Sequence, residues 1–257
     1  MKVTLIQMDI VWGDPQANIA TAETAINEAV ASDVYVLPEM FSTGFATSPE
    51  GIAESDERSL GWMKQMAARM DAAICGSVAT EIEKEGKSSY VNRFYFVKPD
   101  GETAYYDKRH LFTYGGEHRR YTHGGERVEV EFRGVRFLLR VCYDLRFPVF
   151  SRNNGDKPYD VAIYVASWPT SRMAVWDTLL RARAIENQCL VIGVNRVGND
   201  EVCHYNGGTV LVDAYGNTVA ECESGKESTI TAVLDIDKLN AFRQKFPVLA
   251  DADRAFK

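Results

Sequence analysis

Apolar, β-rich runs alternate with amphipathic helical patterns from one end of this chain to the other, without a linker, repeat or low-complexity block between them. That alternation is the signature of a layered α/β domain, because each strand and helix must bury its apolar face against a neighbouring layer. Lys2 to Gln7 reads as a strand. Asp14-Pro15 then supplies an N-cap followed by proline at the first helical position. Ile19, Ala22, Ile26 and Ala29 recur at three and four residues, so this helix has one apolar face. Val34 to Leu37 is a short continuous apolar run, as a strand buried on both faces would be. Leu60, Met63, Ala67 and Met70 mark a second helix and Ala73 to Val78 a third strand.

The middle is richer in hairpins. Asn92 to Val97 and Glu102 to Tyr106 flank Pro99-Asp100-Gly101, and Arg127 to Phe132 and Val135 to Val141 join through Arg133-Gly134. Asp160 to Ala166 is another strand, leading into a helix with Met173, Trp176, Leu180 and Ala184 on one face. Leu190 to Asn195, Gly208 to Asp213 and Thr229 to Asp235 complete the strands, and a last helix runs from about Asp237 to near Pro247. Two mostly buried sheets covered by helices, in one domain spanning residues 1–257, is the simplest arrangement.

Composition narrows the partners. A net charge of −7 argues against nucleic acid or an anionic membrane as the principal partner, since both favour a basic face. The first ten residues are too short and too mixed for a signal peptide, and no stretch approaches the roughly 20 apolar residues of a membrane span. Cys75, Cys142, Cys189, Cys203 and Cys222 are odd in number and lack tight pairing, which points to free thiols in a reducing, cytoplasmic setting.

Reactive groups end three of the apolar strands. Glu39 follows the second strand and a proline in LPEMFSTGF. Lys108 follows a hairpin strand in YDKRHLF. Cys142 closes the strand FLLRV and opens CYDLRFP. Ligands bind at the carboxyl ends of strands in α/β folds, because the loops there open into a crevice. Taken singly, each residue has a plain reading: an inert buried thiol, a solvated lysine, a capping glutamate. Together they offer what amide cleavage requires, namely a nucleophile, a base and a donor for the developing oxyanion. The backbone N–H of Tyr143, at a strand-to-helix turn, offers a second oxyanion donor. His110, His118, His123 and His204 show no metal-ligand spacing and read as solvated loop residues; acyl transfer by a nucleophile, a base and an oxyanion donor needs neither a metal nor an organic cofactor.

These three motifs, in this order, resemble the carbon–nitrogen hydrolase (nitrilase) family. The resemblance runs from Val3 to about Pro247 and includes Gly193-Val194-Asn195-Arg196-Val197-Gly198. It implies a four-layer αββα sandwich of two mixed sheets flanked by helices, assembled as a homodimer. It also implies a catalytic triad at Glu39, Lys108 and Cys142, with an additional glutamate at Glu117 in YGGEHRRY. PEMFSTGF, YDKRHLF, VCYDLRFPV, Trp-Pro-x-x-Arg and ARAIENQ are most similar to the omega-amidase branch, which hydrolyses the terminal amide of short 2-oxo acid amides. The implied partner is then a small carboxylate-bearing amide. One departure lies in Asp213-Ala214-Tyr215-Gly216, where relatives commonly place proline before the glycine. Arg172 has two readings, a pocket clamp for a substrate carboxylate or an ordinary helix-start arginine on the surface. Phe41, Phe45, Tyr143 and Trp168 are candidates for the pocket wall. N-carbamoyl amine or nitrile hydrolysis by the same triad remains open, as does a non-catalytic scaffold. A papain-like Cys-His site finds no support, because no His motif accompanies Cys142.

Overall fold

The computed structural model describes residues 1–84, 86–153 and 157–251; residues 252–257, the end of the span read as one domain, lie outside them. The elements in chain order are β1 (Lys2–Gln7), α1 (Pro15–Glu28), β2 (Val34–Val36), α2 (Arg58–Met70), β3 (Ala73–Lys84), β4 (Lys87–Val97) and β5 (Thr103–Asp107). There follow β6 (Glu129–Phe132), β7 (Val135–Val141), the short α3 (Pro148–Ser151), β8 (Val161–Ala166), α4 (Met173–Asn187) and β9 (Leu190–Asn195). The chain continues through β10 (Val197–Asn199), β11 (His204–Asn206), β12 (Val210–Val212), β13 (Thr218–Glu221), β14 (Ser228–Val233) and α5 (Ile236–Lys245).

Two six-stranded mixed sheets result. The first has the order β14-β1-β2-β3-β4-β5 and the second β13-β12-β9-β8-β7-β6. In each, three central strands are parallel (β1, β2 and β3; β7, β8 and β9) and antiparallel strands complete the edges. Period-2 alternation decides which side each residue serves. On β8, Val161, Ile163 and Val165 join Val3, Leu5, Phe94 and Phe96 of the first sheet in a core between the sheets. Ala162, Tyr164 and Ala166 face the other way, against Trp176, Leu180 and Ala184 of α4. Ile6, Tyr35 and Ile74 pack on α1 and α2 through Ala22, Ile26, Met63 and Ala67. The layers are therefore helix, sheet, sheet, helix, as the motifs implied. Gly193 shows how closely α4 sits: a Cβ there would lie 2.5 Å from Leu180 Cδ1 and 2.8 Å from Trp176 Cζ2.

Asp14 caps α1 as expected, its carboxylate accepting from the Ala17 N–H at 3.0 Å. The strands read at Ala73 and Asn92 are longer than their apolar runs and form one hairpin with eleven paired positions, Ile74↔Val97 to Lys84↔Lys87. The β10–β11 hairpin and the edge strand β13 were not legible, since three- and four-residue strands show too few alternations to register as a period. No helix among the described residues is long and apolar enough to cross a membrane.

Candidate active site

The carboxyl ends of β7 and β8 open on a cavity of about 580 Å³, and Glu39 and Lys108, which follow β2 and β5, are buried beside the Cys142 that lines it. Glu39, three residues past β2, is fully buried. Its Oε1 accepts from Lys108 Nζ at 2.9 Å and from Asn92 Nδ2 at 2.8 Å. Its Oε2 accepts from the Ser167 backbone N–H at 2.8 Å, just beyond β8. Lys108 follows β5 directly and is also fully buried. Its N–H donates to the Asn92 carbonyl at 2.9 Å, and its carbonyl accepts from the Gly124 N–H at 3.0 Å, so both sides of the residue are tied down.

Glu117 completes the cluster. Its carboxylate accepts from Lys108 Nζ at 2.9 and 3.1 Å, from the Phe112 N–H at 2.6 Å and from Asn92 Nδ2 at 3.2 Å. Burial pushes the Glu117 carboxyl above its ordinary value, aided by the Glu39 charge, although Lys108 pulls the other way. Burial alone would depress the Lys108 ammonium; Glu117, Glu39 and Cys142 outweigh it and hold the lysine well above its usual range. An ammonium has three N–H donors. One serves Glu39 and one is shared across the Glu117 oxygens, which leaves the third for a ligand.

Cys142 sits where β7 turns into a 3₁₀ segment, with φ of +44°, a left-handed conformation unusual for a non-glycine residue. Met40, next to Glu39, is strained in the same sense at φ +45° and is held by donation from its N–H to Ser77 Oγ at 2.9 Å. Cys142 lines the cavity, and the Tyr143 N–H lies in the first turn, where no helical acceptor exists for it. Burial, then the Glu39 charge beside it, pushes the Cys142 thiol well above the ordinary range against the opposing pull of Lys108.

Asp144 pins the turn from behind. Oδ2 accepts from the Val141 N–H at 3.0 Å and from the Tyr106 hydroxyl at 2.8 Å. Oδ1 accepts from the His110 N–H at 3.0 Å and is bonded to His110 Nδ1 at 2.8 Å. One carboxylate thus ties the cysteine turn to the lysine loop. His110, expected to be solvated, instead stacks on Phe147 with centroids 3.9 Å apart and holds Asp144. Among the described residues no group of histidines, cysteines and carboxylates could hold a metal ion.

The cavity walls divide by origin. Tyr143, Arg146, Trp168 and Arg172 come from segments following β7 and β8 of the second sheet. Arg172 faces the cavity, its guanidinium 5.3 Å from the Phe112 ring, and Arg146 lies 5.2 Å from the Trp168 ring. Neither guanidinium has a carboxylate partner among the described residues. Trp168 is nearly covered, its indole donating to the Arg172 carbonyl at 2.9 Å and its backbone clamped by Asn195 at the end of β9. Asn195 gives the Gly193–Gly198 motif its place here. Phe45 and Trp12 line the other side. Phe41 does not reach the cavity: after the turn at Met40 it lies in the outer core, 5.7 Å from the Trp62 ring, which corrects its reading as a wall residue. Sequence reasoning also missed Asn92, Ser167, Asp144 and Arg146. The signals were a polar residue inside the apolar strand ending FYFV, the serine closing YVAS, and two charges in CYDLR.

Residues 2–244 match the carbon–nitrogen hydrolase family model. The chain is 47% identical to the omega-amidase YafV of Yersinia enterocolitica, covering 99% of this chain and 97% of that protein. It is 33% identical to a 2-oxoglutaramate amidase of Bacillus subtilis, covering 97% of this chain and 96% of the relative. A carbon–nitrogen hydrolase-superfamily protein of Xanthomonas campestris, crystallised with an arsenic adduct in its active site, superposes with a TM-score of 0.91 at 41% identity, covering 98% and 97% of the two chains.

Proposed function

The chain belongs to the carbon–nitrogen hydrolase family, and from that premise we propose that it is an omega-amidase with Cys142 as nucleophile. Its substrates are the terminal amides of short 2-oxo acids, 2-oxoglutaramate and 2-oxosuccinamate, cleaved to the acid and ammonia. The observation that carries this reading is one cavity lined by Cys142, itself beside Glu39 and Lys108, with the guanidiniums of Arg146 and Arg172, which have no carboxylate partner among the described residues, in its wall.

The resting thiol is protonated, since burial and the Glu39 charge both oppose the thiolate. Attack therefore needs proton transfer as the S–C bond forms, and Glu39, which accepts every hydrogen bond it makes within the protein, takes that proton. The carbonyl oxygen becomes an oxyanion, met by the third N–H of Lys108 and the Tyr143 N–H. Glu39 then gives its proton to the nitrogen, the C–N bond breaks, and ammonia leaves a thioester on Cys142. Water attacks the thioester as Glu39 accepts its proton; the acid departs and the proton returns to sulfur. Glu117 orients Lys108 and keeps it charged. Arg172, with Tyr143 and Trp168 around it, receives the substrate carboxylate through a charge-assisted pair. No step calls for a metal or organic cofactor.

We read residues 1–257 as one such domain, working as a homodimer in the cytoplasm. Light scattering on the purified protein checks the dimer. Ammonia release from a panel of 2-oxo acid amides, N-carbamoyl amines and nitriles checks the activity. Turnover of the 2-oxo acid amides, lost in Cys142→Ala, is the expected result. Turnover of carbamoyl amines alone, or full amide hydrolysis by Cys142→Ala, overturns the reading.

A further inference from the structure

The cavity is larger than the substrates just proposed. 2-Oxoglutaramate has ten non-hydrogen atoms; at the ~30 Å³ that one water occupies in the liquid, ten atoms claim at most about 300 Å³. The cavity measures about 580 Å³. The direction of the chemistry shows where the surplus lies. Arg146 and Arg172 lie on the segments that follow β7 and β8 of the second sheet, so a carboxylate held there draws the acyl chain toward that wall. The leaving nitrogen must face Glu39, which protonates it, and Glu39 stands on the loop that leaves the first sheet after β2.

That loop continues directly into Phe45, which lines the cavity and lies 5.2 Å, ring centroid to Nζ, from Lys108. Trp12 packs against the same loop: a Cβ on Gly44 would be 3.1 Å from the indole Cε3, and the Gly13 N–H donates to the Thr43 carbonyl at 2.9 Å. Trp12 lines the cavity with 46% of its surface exposed, and Val202 on the β10–β11 tip lines it as well. That tip is built and held. Asp200 accepts from the N–H groups of Val202 and Cys203 at 2.8 and 2.6 Å and from the Tyr205 hydroxyl at 2.6 Å. Ammonia is small and polar and gains nothing from the rings of Trp12 and Phe45 beside the loop that carries Glu39.

We propose that this side of the cavity is a leaving-group subsite for an apolar substituent on the amide nitrogen, so that the enzyme also cleaves N-alkyl and N-arylalkyl amides of the same short 2-oxo acids. The inference rests on the omega-amidase reading and extends it. The step balances as before: sulfur bonds to the carbonyl carbon, the C–N bond breaks, Glu39 supplies the proton, and a primary amine leaves in place of ammonia.

The test compares 2-oxosuccinamate with its N-methyl, N-butyl and N-benzyl derivatives, following amine and acid release by the full-length enzyme. Burying a methylene is worth about a fourfold change in an equilibrium constant. With the chain half covered, KM for the N-butyl amide falls by about tenfold relative to N-methyl, and kcat/KM stays within tenfold of the primary amide or exceeds it. Trp12→Ala lowers kcat/KM for the N-butyl and N-benzyl amides at least fivefold more than for the primary amide, while a thermal melt reports that the variant is folded. If the primary amide turns over and N-butyl is more than a hundredfold slower, the subsite is refuted and the omega-amidase reading stands. An equal loss on all four substrates in Trp12→Ala refutes it too. If the primary amide itself is inert, the underlying reading falls and the subsite with it.

Discussion

Asp144→Asn is the sharpest probe of how the site is held together, because the substitution keeps the side chain's shape and changes only what it can accept. The Asp144 carboxylate meets donors on both oxygens: the Val141 N–H and Tyr106 hydroxyl on one, the His110 N–H and ring nitrogen on the other. An asparagine has one acceptor oxygen and an NH₂. If the NH₂ faces Tyr106, the hydroxyl can rotate to accept, but the Val141 N–H is left head-on against a donor. If it faces His110, the ring can change tautomer, but the His110 backbone N–H is orphaned. Either flip buries one unpaired N–H, at about 1–3 kcal/mol, and loses the charge assistance of the remaining bonds. A total near 2–4 kcal/mol lowers the midpoint of thermal unfolding by roughly 5–15 °C in a chain of this size. Activity falls with it, mainly in kcat, since the Val141 N–H leads directly into the left-handed turn at Cys142.

The pH dependence separates this account from a general packing defect. Burial raises the Asp144 carboxyl, but the His110 bond, the Arg140 charge, the Val141 N–H and the Tyr106 hydroxyl together outweigh it and hold the group below its ordinary value. A depressed folded pKa contributes stability that is fully present above the unfolded carboxyl value of about 3.9 and is lost as pH falls through the folded one. Wild type therefore surrenders this contribution in acid, and the variant has none to surrender. Denaturation at a series of pH values is expected to show a wide gap at pH 7 that narrows below about pH 4. A gap that stays constant into acid, or a change below about 0.5 kcal/mol at pH 7, refutes the argument.

Lys108→Met removes an oxyanion donor and leaves Glu39 and Glu117 buried without their cation; kcat on 2-oxosuccinamate should fall by at least about 10²-fold, with KM changed only a few-fold. The same variant should unfold more readily by about 3–5 kcal/mol, read by urea titration, because it breaks a buried ion pair from one side. Arg172→Ala should raise KM for a carboxylate-bearing amide by roughly 10–100-fold, in line with about 1.5–3 kcal/mol for a charged hydrogen bond, and should leave an uncharged amide of equal length nearly unaffected. Steady-state kinetics on the pair of substrates checks it, and equal losses on both remove Arg172 from substrate recognition.

How much of this was legible beforehand follows from how strands announce themselves. A parallel strand buried on both faces reads as an unbroken apolar run, so the first reactive residue beyond it is placed at the carboxyl edge with little ambiguity. Glu39 and Cys142 follow such runs, and their convergence was readable. Asn92 was not. It lies in the middle of β4, an antiparallel strand, where a polar residue ordinarily signals the solvent face; here that position is buried and the amide bridges Glu39 to Glu117. Glu117 itself emerged only through family resemblance, because a 3₁₀ turn in a loop has no periodicity to locate it. Phe41 failed for a different reason. The chain reverses at Met40 with a positive φ, and nothing about methionine foretells that conformation, so an aromatic two residues past Glu39 went to the outer core and the one four residues further, Phe45, took the cavity wall. The residues proposed to deliver chemistry sat at the ends of readable strands; the residues that hold them did so through side-chain hydrogen bonds between elements distant in sequence, such as Asp144 to Tyr106 across 38 positions. Such pairs leave no local trace. They exist only once both sheets are in place, which is why the positioning network had to be seen in three dimensions while the strand-end positions of Glu39, Lys108 and Cys142 did not.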